Sequence, residues 1–306
     1  MKFFNRFAVS LLASVLCAST LFAMPVDAKK TTKRRQPTQA ELAAAAALQA
    51  AIDERYNKEI ESNSWENWPA GPQVYAESAI VMEASTGTIL YSKAIDEQHY
   101  PASITKIMTA LLVFTNGNMD DVVTISEENV TLEEGSQRVG FQVGDQVTMD
   151  EEVTFSHNAV YSIDYGSSSI ARDEDEVLTV EECLYAIMLE SANECANAIA
   201  EHISGSTEAF ADLMNQRAAE LGCTNTHFVN PSGLPNEEHY TSAHDMALIT
   251  RAAVSHEEFR KSSGTSRYVF RATNKKSEEL LMNNHHYMIY GYKRYLPVRL
   301  VTQRQR

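Results

Sequence analysis

The sequence predicts an α/β (α+β) chain: one short β-hairpin, a buried apolar helix directly after it, and then a series of further helices. Ala79-Ile80-Val81-Met82 and Thr88-Ile89-Leu90-Tyr91 are β-prone runs separated by Glu83-Ala84-Ser85-Thr86-Gly87, which is the pattern of a hairpin. Ile104, Ile107, Met108, Leu111, Leu112, Val113 and Phe114 cover most faces of a helix, and a helix apolar all round belongs in a core. Asn116-Gly117-Asn118 supplies residues that stop one. Helical patterns follow from Glu182 to Met188, resuming at 195–200 after a polar interruption, and again at 210–221 and 243–254.

With 306 residues, 44% hydrophobic and 22% charged, the chain has ordinary globular composition and room for one large or two ordinary domains. Its first residues read as a secretory signal. Lys2 and Arg6 precede an apolar run from Phe7 to Met24, and Val26-Asp27-Ala28 resembles a processing site. Cys17 follows Leu16 rather than a small residue, which argues against a lipoprotein anchor. Loss of residues 1–28 removes Lys2, Arg6 and Asp27, a net of +1, so the charge of -15 becomes -16 and nucleic acid is not an expected partner. Cys183, Cys195 and Cys223 remain, an odd number without metal-ligand spacing, and read as small buried side chains.

Residues 29–73 form a basic tail and a helical spacer. Lys29-Lys30-Thr31-Thr32-Lys33-Arg34-Arg35 is a solvated run that could make peripheral contact with membrane or anionic wall polymer. Thr38-Gln39-Ala40-Glu41 has capping-box spacing, and Leu42, Leu48, Ile52, Tyr56 and Ile60 suggest a helix to about Ser62. Trp65, Trp68, Pro69, Gly71 and Pro72 then mark a boundary, with the main domain expected from 74 to 306. Within it, residues 121–182 contain a repeat. Val123-Thr124-Ile125-Ser126 recurs as Val153-Thr154-Phe155-Ser156, Gly135-Ser136 as Gly166-Ser167, and Thr148-Met149-Asp150-Glu151 as Thr179-Val180-Glu181-Glu182. Two copies are too few for a solenoid, so a local duplication of a mainly β and loop segment on the surface is expected.

The candidate chemistry lies in Tyr100-Pro101-Ala102-Ser103-Ile104-Thr105-Lys106. Ser103 would sit at or next to the N-cap of the buried helix and Lys106 one turn on, roughly 5 to 6 Å apart at Cβ. A serine hydroxyl needs a base to become a nucleophile. Lysine serves when burial and nearby positive potential favour its neutral form. The helix N-terminus adds partial positive charge and backbone N–H groups that can hold half of an oxyanion hole. Ser-x-x-Lys alone is a weak signal, expected roughly once by chance in a chain of this length. Ser191 and Asn193, two apart at a helix junction, can hydrogen-bond a substrate and a lysine, although taken alone an ordinary cap is the better explanation. His244 and Asp245 are adjacent, so they point apart on a helix; capping suits Asp245 and the surface suits His244. His285-His286 has no third ligand at metal spacing.

Ser103-Ile104-Thr105-Lys106 followed by Ser191-Ala192-Asn193 resembles the first two motifs of the penicillin-binding serine D-alanyl-D-alanine carboxypeptidases, relatives of class A β-lactamases. The likeness extends over about residues 74–290. Ser78 to Lys93 is similar to the family's opening hairpin, and Asn225 to Asp245, with Phe228-Val229-Asn230-Pro231-Ser232-Gly233-Leu234, to its loop and helix. The resemblance implies a penicillin-binding/β-lactamase-like transpeptidase fold, a helical cluster packed on an antiparallel sheet, in an exported hydrolase. That enzyme would remove the terminal D-alanine from peptidoglycan stem peptides ending in D-Ala-D-Ala. Ser103 would be acylated, Lys106 would take its proton, Ser191 would relay protons and Asn193 would hold the substrate amide. β-Lactams would acylate the same serine, and no metal or organic cofactor is implied.

Two departures qualify that expectation. No Lys-Thr-Gly, Lys-Ser-Gly or His-Thr-Gly occurs, and Lys261-Ser262-Ser263-Gly264 carries one residue too many. The third motif of the family lies on a strand, binds the substrate carboxylate and leads to the other half of the oxyanion hole. The chain is therefore expected to be C-terminally truncated, with the last strands of the sheet missing. The alternative function is a non-catalytic relic or peptidoglycan-binding fragment. The duplication is the second departure, since the family has one copy of that segment. A β-lactamase reading is weaker, because its Glu-x-x-Leu-Asn is approximated only by Glu279-Leu280-Leu281-Met282-Asn283, far downstream.

Overall fold

The structure, a computed structural model, describes residues 37–116, 149–286 and 288–291. The leader at 1–28, the basic run at 29–35, the helix stop at 117–118, the first repeat copy up to residue 148 and the C-terminal 292–306 lie outside the described residues. The chain divides into two compact units, residues 1–50 and 51–306.

In the first unit, Thr38 and Glu41 close the expected capping box. The Glu41 N–H donates to Thr38 Oγ1 at 3.2 Å and the Thr38 N–H to Glu41 Oε2 at 2.6 Å. Helix α1 (Gln39–Asn57) buries no residue, and it ends five residues before the expected limit near Ser62, where a 3-10 turn (Glu61–Ser64) follows. No described helix is long and apolar enough to cross a membrane.

After the 3-10 turn, the second unit contains the expected hairpin. β1 (Ala79–Met82) pairs antiparallel with β2 (Ile89–Lys93), with Ala79 opposite Lys93 and an irregularity between Val81 and Met82. Its turn is tied by Glu83, whose carboxylate accepts from the backbone N–H and hydroxyl of both Ser85 and Thr86. Those bonds hold the Glu83 carboxyl down to about 2.

A 3-10 turn (Ala102–Thr105) leads into α2 (Lys106–Asn116), the axis of the core. Met108, Ala110 and Leu111 are fully buried, as its all-round apolarity predicts. Around it pack α4 (Val180–Glu190), α5 (Asn193–Ser204), α6 (Thr207–Glu220), α7 (Ala243–Ala253) and α8 (Glu257–Gly264). The polar interruption after α4 is tighter than the sequence suggests, since only Ser191 and Ala192 separate it from α5.

The second repeat copy departs from the expected surface loop. It forms β3 (Glu152–Thr154), the short α3 (His157–Tyr161) and β4 (Val177–Thr179), with β3 and β4 paired antiparallel. Val153, Phe155, Ala159 and Leu178 are fully buried in the common core. The reason is the period-two alternation at 153 and 155, which turns one face of a strand inward. Below it, a buried ion pair joins Arg172 Nη1 to Glu176 Oε1 at 2.7 Å, and Thr273 adds a hydroxyl to the same oxygen. The hydrogen bonds let the charges be buried together.

β5 (Arg267–Phe270) and β6 (Leu280–Asn283) make a third antiparallel pair, and a short helix, α9 (Met288–Gly291), follows. Among the described residues the sheets are all two-stranded, so the class is helices with small antiparallel sheets. The near-miss Lys261-Ser262-Ser263-Gly264 is helical, with both serine hydroxyls donating to the Phe259 carbonyl. Cys183 and Cys195 are buried as expected, whereas Cys223 is only partly buried. Burial and the neighbouring Cys183 push the Cys195 thiol well up, which keeps it protonated and unreactive.

Candidate active site

Ser103 and Lys106 come together as the spacing requires, by a local geometry different from the expected cap. Pro101 is the N-cap of the 3-10 turn and no side chain caps it, so the Ser103 hydroxyl is not used in capping. Lys106 begins the α-helical part, and its Nζ lies 3.5 Å from Ser103 Oγ. Lys106 is 2% exposed. Its Nζ also donates to Asn193 Oδ1 at 2.6 Å and to the Ser232 carbonyl at 2.5 Å. A lysine amine offers only protons to those oxygens, so the Asn193 amide must present its oxygen there.

The second motif sits where α4 ends. Ser191 is the C-cap in the left-handed region, at φ 61° and ψ 32°, and its N–H closes the last turn on Ala186 and Ile187. A non-glycine residue in that region is strained, and such strain gathers at functional positions. The Ser191 hydroxyl is buried without a hydrogen-bond partner. Asn193 opens α5, and its N–H donates to the Ser168 carbonyl at 3.0 Å, so the second repeat copy helps to hold the motif. Glu194 ties the same segment by accepting from the Ile170 N–H and the Ser169 hydroxyl.

The structure adds a third element, the loop from 225 to 242. Two isolated β-bridges fasten it, His99 to Thr241 and His227 to Tyr240, and the first reaches the segment just before Pro101. Asn230 shapes its tip, since its Oδ1 accepts from the N–H groups of Gly233 and Leu234 and from the Ser232 hydroxyl. Thr109 of α2 donates to the Pro231 carbonyl at 2.7 Å. Gly233 has φ +83°, and a Cβ there would stand 1.9 Å from the Ala102 carbonyl oxygen. Only a glycine lets the loop approach the Ser103 turn so closely.

Asp245 is not a cap, contrary to expectation. Ser242 caps α7, and the Asp245 carboxylate accepts from the Asn225 N–H and the Thr226 hydroxyl, tying the loop to the helix. His244 is half-buried and faces Asp96 at 3.3 Å. His285 pairs with Glu190 at 2.6 Å. Among the described residues no group of histidine, cysteine and carboxylate side chains is arranged to hold a metal ion.

His239 is buried in this loop, and burial, with the nearby His227, pushes its imidazole down to about 4. The folded state therefore binds fewer protons than the unfolded state, whose histidine titrates near 6.5. The stability from a neutral His239 is complete above pH 6.5 and is lost as pH falls towards 4, at a cost of roughly 3 kcal/mol. Urea midpoints at pH 7.5 and 4.5 should show this acid loss. His239→Asn should show a shallower one, because among the described histidines His202 and His256 are then the ones left with lowered values.

The Ser232 carbonyl, Asn230, Gly233, Thr105 and His239 were not singled out as site residues by the sequence. The available signal was the turn-rich Asn230-Pro231-Ser232-Gly233 run.

A family model described as D-alanyl-D-alanine carboxypeptidase matches residues 65–151 and 139–294. The chain is 37% identical over 190 residues to the D-alanyl-D-alanine carboxypeptidase DacF of Bacillus subtilis, covering 62% of this chain and 42% of that protein. It is 31% identical over 186 residues to DacA of Escherichia coli, covering 61% and 41%. The chain thus spans about two fifths of the length of these curated relatives. Among solved structures, a mutant Streptomyces K15 DD-transpeptidase superposes with TM-score 0.60 at 26% identity, over 74% of this chain and 81% of that one. The D-alanyl-D-alanine carboxypeptidase DacD from Francisella tularensis gives 0.60 at 25%, over 76% and 61%.

Proposed function

Because the chain belongs to the D-alanyl-D-alanine carboxypeptidase family, we propose that it is an exported serine hydrolase that removes the terminal D-alanine from peptidoglycan stem peptides through an acyl-enzyme on Ser103. The observation that carries the reading is the position of Lys106 Nζ, between Ser103 Oγ at 3.5 Å and Asn193 Oδ1 at 2.6 Å, with the Ser232 carbonyl as a third partner. A neutral amine has two N–H donors and one lone pair. Asn193 and Ser232 each accept one N–H, and a lone pair facing the serine makes the amine a base for it.

Ser103 Oγ attacks the carbonyl of the penultimate D-alanine while Lys106 takes its proton. The N–H groups at the first turn hold the developing oxyanion. Collapse breaks the C–N bond, and the departing D-alanine amine receives a proton relayed through Ser191, while Asn193 holds the substrate amide. Water then hydrolyses the ester. A β-lactam follows the same first step, but its leaving amine stays tethered after ring opening, so the adduct persists. The basic run at 29–35 gives the exported protein a peripheral hold on anionic wall polymer or lipid. The second repeat copy supports the site, and the first is a tandem insertion.

Incubation of the purified protein with a stem pentapeptide ending in D-Ala-D-Ala should release D-alanine, and Ser103→Ala should release none. No release by folded protein would leave a peptidoglycan-binding relic as the better account.

A further inference from the structure

His239 touches neither the Ser103 hydroxyl nor the Lys106 amine in the contacts described above, yet it is wired to the turn that carries both. Its Nδ1 accepts from the Val229 N–H at 3.1 Å, so the ring proton resides on Nε2, which donates to Thr105 Oγ1 at 2.8 Å. A cationic ring would set a second N–H against that of Val229. Phe228 covers one side of the imidazole edge-on, with centroids 5.6 Å apart. His227 is the titratable group that bears on it, and the His227 Nδ1 is itself engaged with the Glu238 carbonyl. Thr105 is fully buried and lies between Ser103 and Lys106 in the chain. Its hydroxyl is also one of the atoms that a Cβ at Gly233 would meet, so three elements converge on it.

We propose that His239 is a positioning residue for acyl transfer: through Thr105 it fixes the turn bearing Ser103 against the loop whose Ser232 carbonyl orients Lys106. This role rests on the acylation of Ser103 proposed above. The 3.5 Å between Oγ and Nζ is a long contact that must shorten for proton transfer. A rotation of the turn lengthens it without altering the groups that meet the substrate.

Two substitutions separate the bonds. His239→Asn keeps an acceptor near the Nδ1 position for Val229 and loses the link to Thr105, and Thr105→Val removes the hydroxyl at nearly constant shape. Stopped-flow acylation by a fluorescent penicillin reads the first-order acylation step apart from the preceding affinity. Each variant should slow the step about tenfold with affinity unchanged. The double variant should lose no more than either single one, as expected of a shared bond. A fall in affinity with an unchanged step, or multiplied losses in the double variant, would overturn the role. Amide hydrogen exchange at 102–106 supplies a readout independent of any substrate. Faster exchange there, with 243–253 unchanged, supports the positioning role, and unaltered protection contradicts it. Unlabelled wild-type protein would count against the acylation proposal alone, leaving the exchange result to judge His239.

Discussion

Replacing Lys106 by alanine should slow acylation of the protein by penicillin about a thousandfold, in the range expected when a positioned base is lost. This expectation rests on the contacts of the amine with Ser103, Asn193 and Ser232. Ser103 has a bare hydroxyl at the start of a helix, and the base must lie within reach on the same face; Lys106 Nζ does so at 3.5 Å. The substitution also leaves Asn193 Oδ1 and the Ser232 carbonyl without their donor in a buried place, at about 1 to 3 kcal/mol each. The alanine variant should therefore melt earlier than the wild type, and rates belong to temperatures at which both are folded. Wild-type acylation rates in a folded Lys106→Ala protein would remove the lysine from its role as base.

Gly233→Ala should have the largest effect on stability. The backbone at φ +83° disfavours any Cβ by about 1 kcal/mol or more, and that Cβ would lie 1.9 Å from the Ala102 oxygen and 2.4 Å from its carbon. Backbone on backbone cannot yield by a side-chain rotation, so the loop or the Ser103 turn must shift, for a total of about 4 kcal/mol. Gly222 provides the control. Its φ is also +83°, but nothing lies within 4 Å of an added Cβ. Gly222→Ala should therefore cost only about 1 kcal/mol, the backbone term. Urea denaturation of the two variants measures the difference, and equal losses would show that the close approach of loop and turn is not what holds the site.

Local patterns made the fold readable in advance. The β-prone runs before Glu83 and after Gly87 became β1 and β2, and the largely apolar stretch after Lys106 became the central helix, because both patterns are local in the sequence. The repeat was legible, but its placement was not. A tandem repeat points to a surface segment, whereas the alternation of Val153 and Phe155 fits a strand with one buried face, which is what forms. The site was legible in part. Ser103 and Lys106 followed from one turn of helix, whereas the significance of Ser191 and Asn193 came from resemblance, since serine does not announce a left-handed backbone. The Ser232 carbonyl was beyond reach because every residue has one, and only the folded loop directs this one at Lys106. His239 meets Thr105 across 134 residues, a contact set by tertiary packing rather than by any period.

The most direct test is mass spectrometry of the folded protein after exposure to benzylpenicillin. A single adduct carrying the opened β-lactam on the peptide that contains Ser103, and its absence from Ser103→Ala, is the predicted result. A folded, unmodified protein, or an adduct on another serine, would contradict the assignment of Ser103 as the nucleophile.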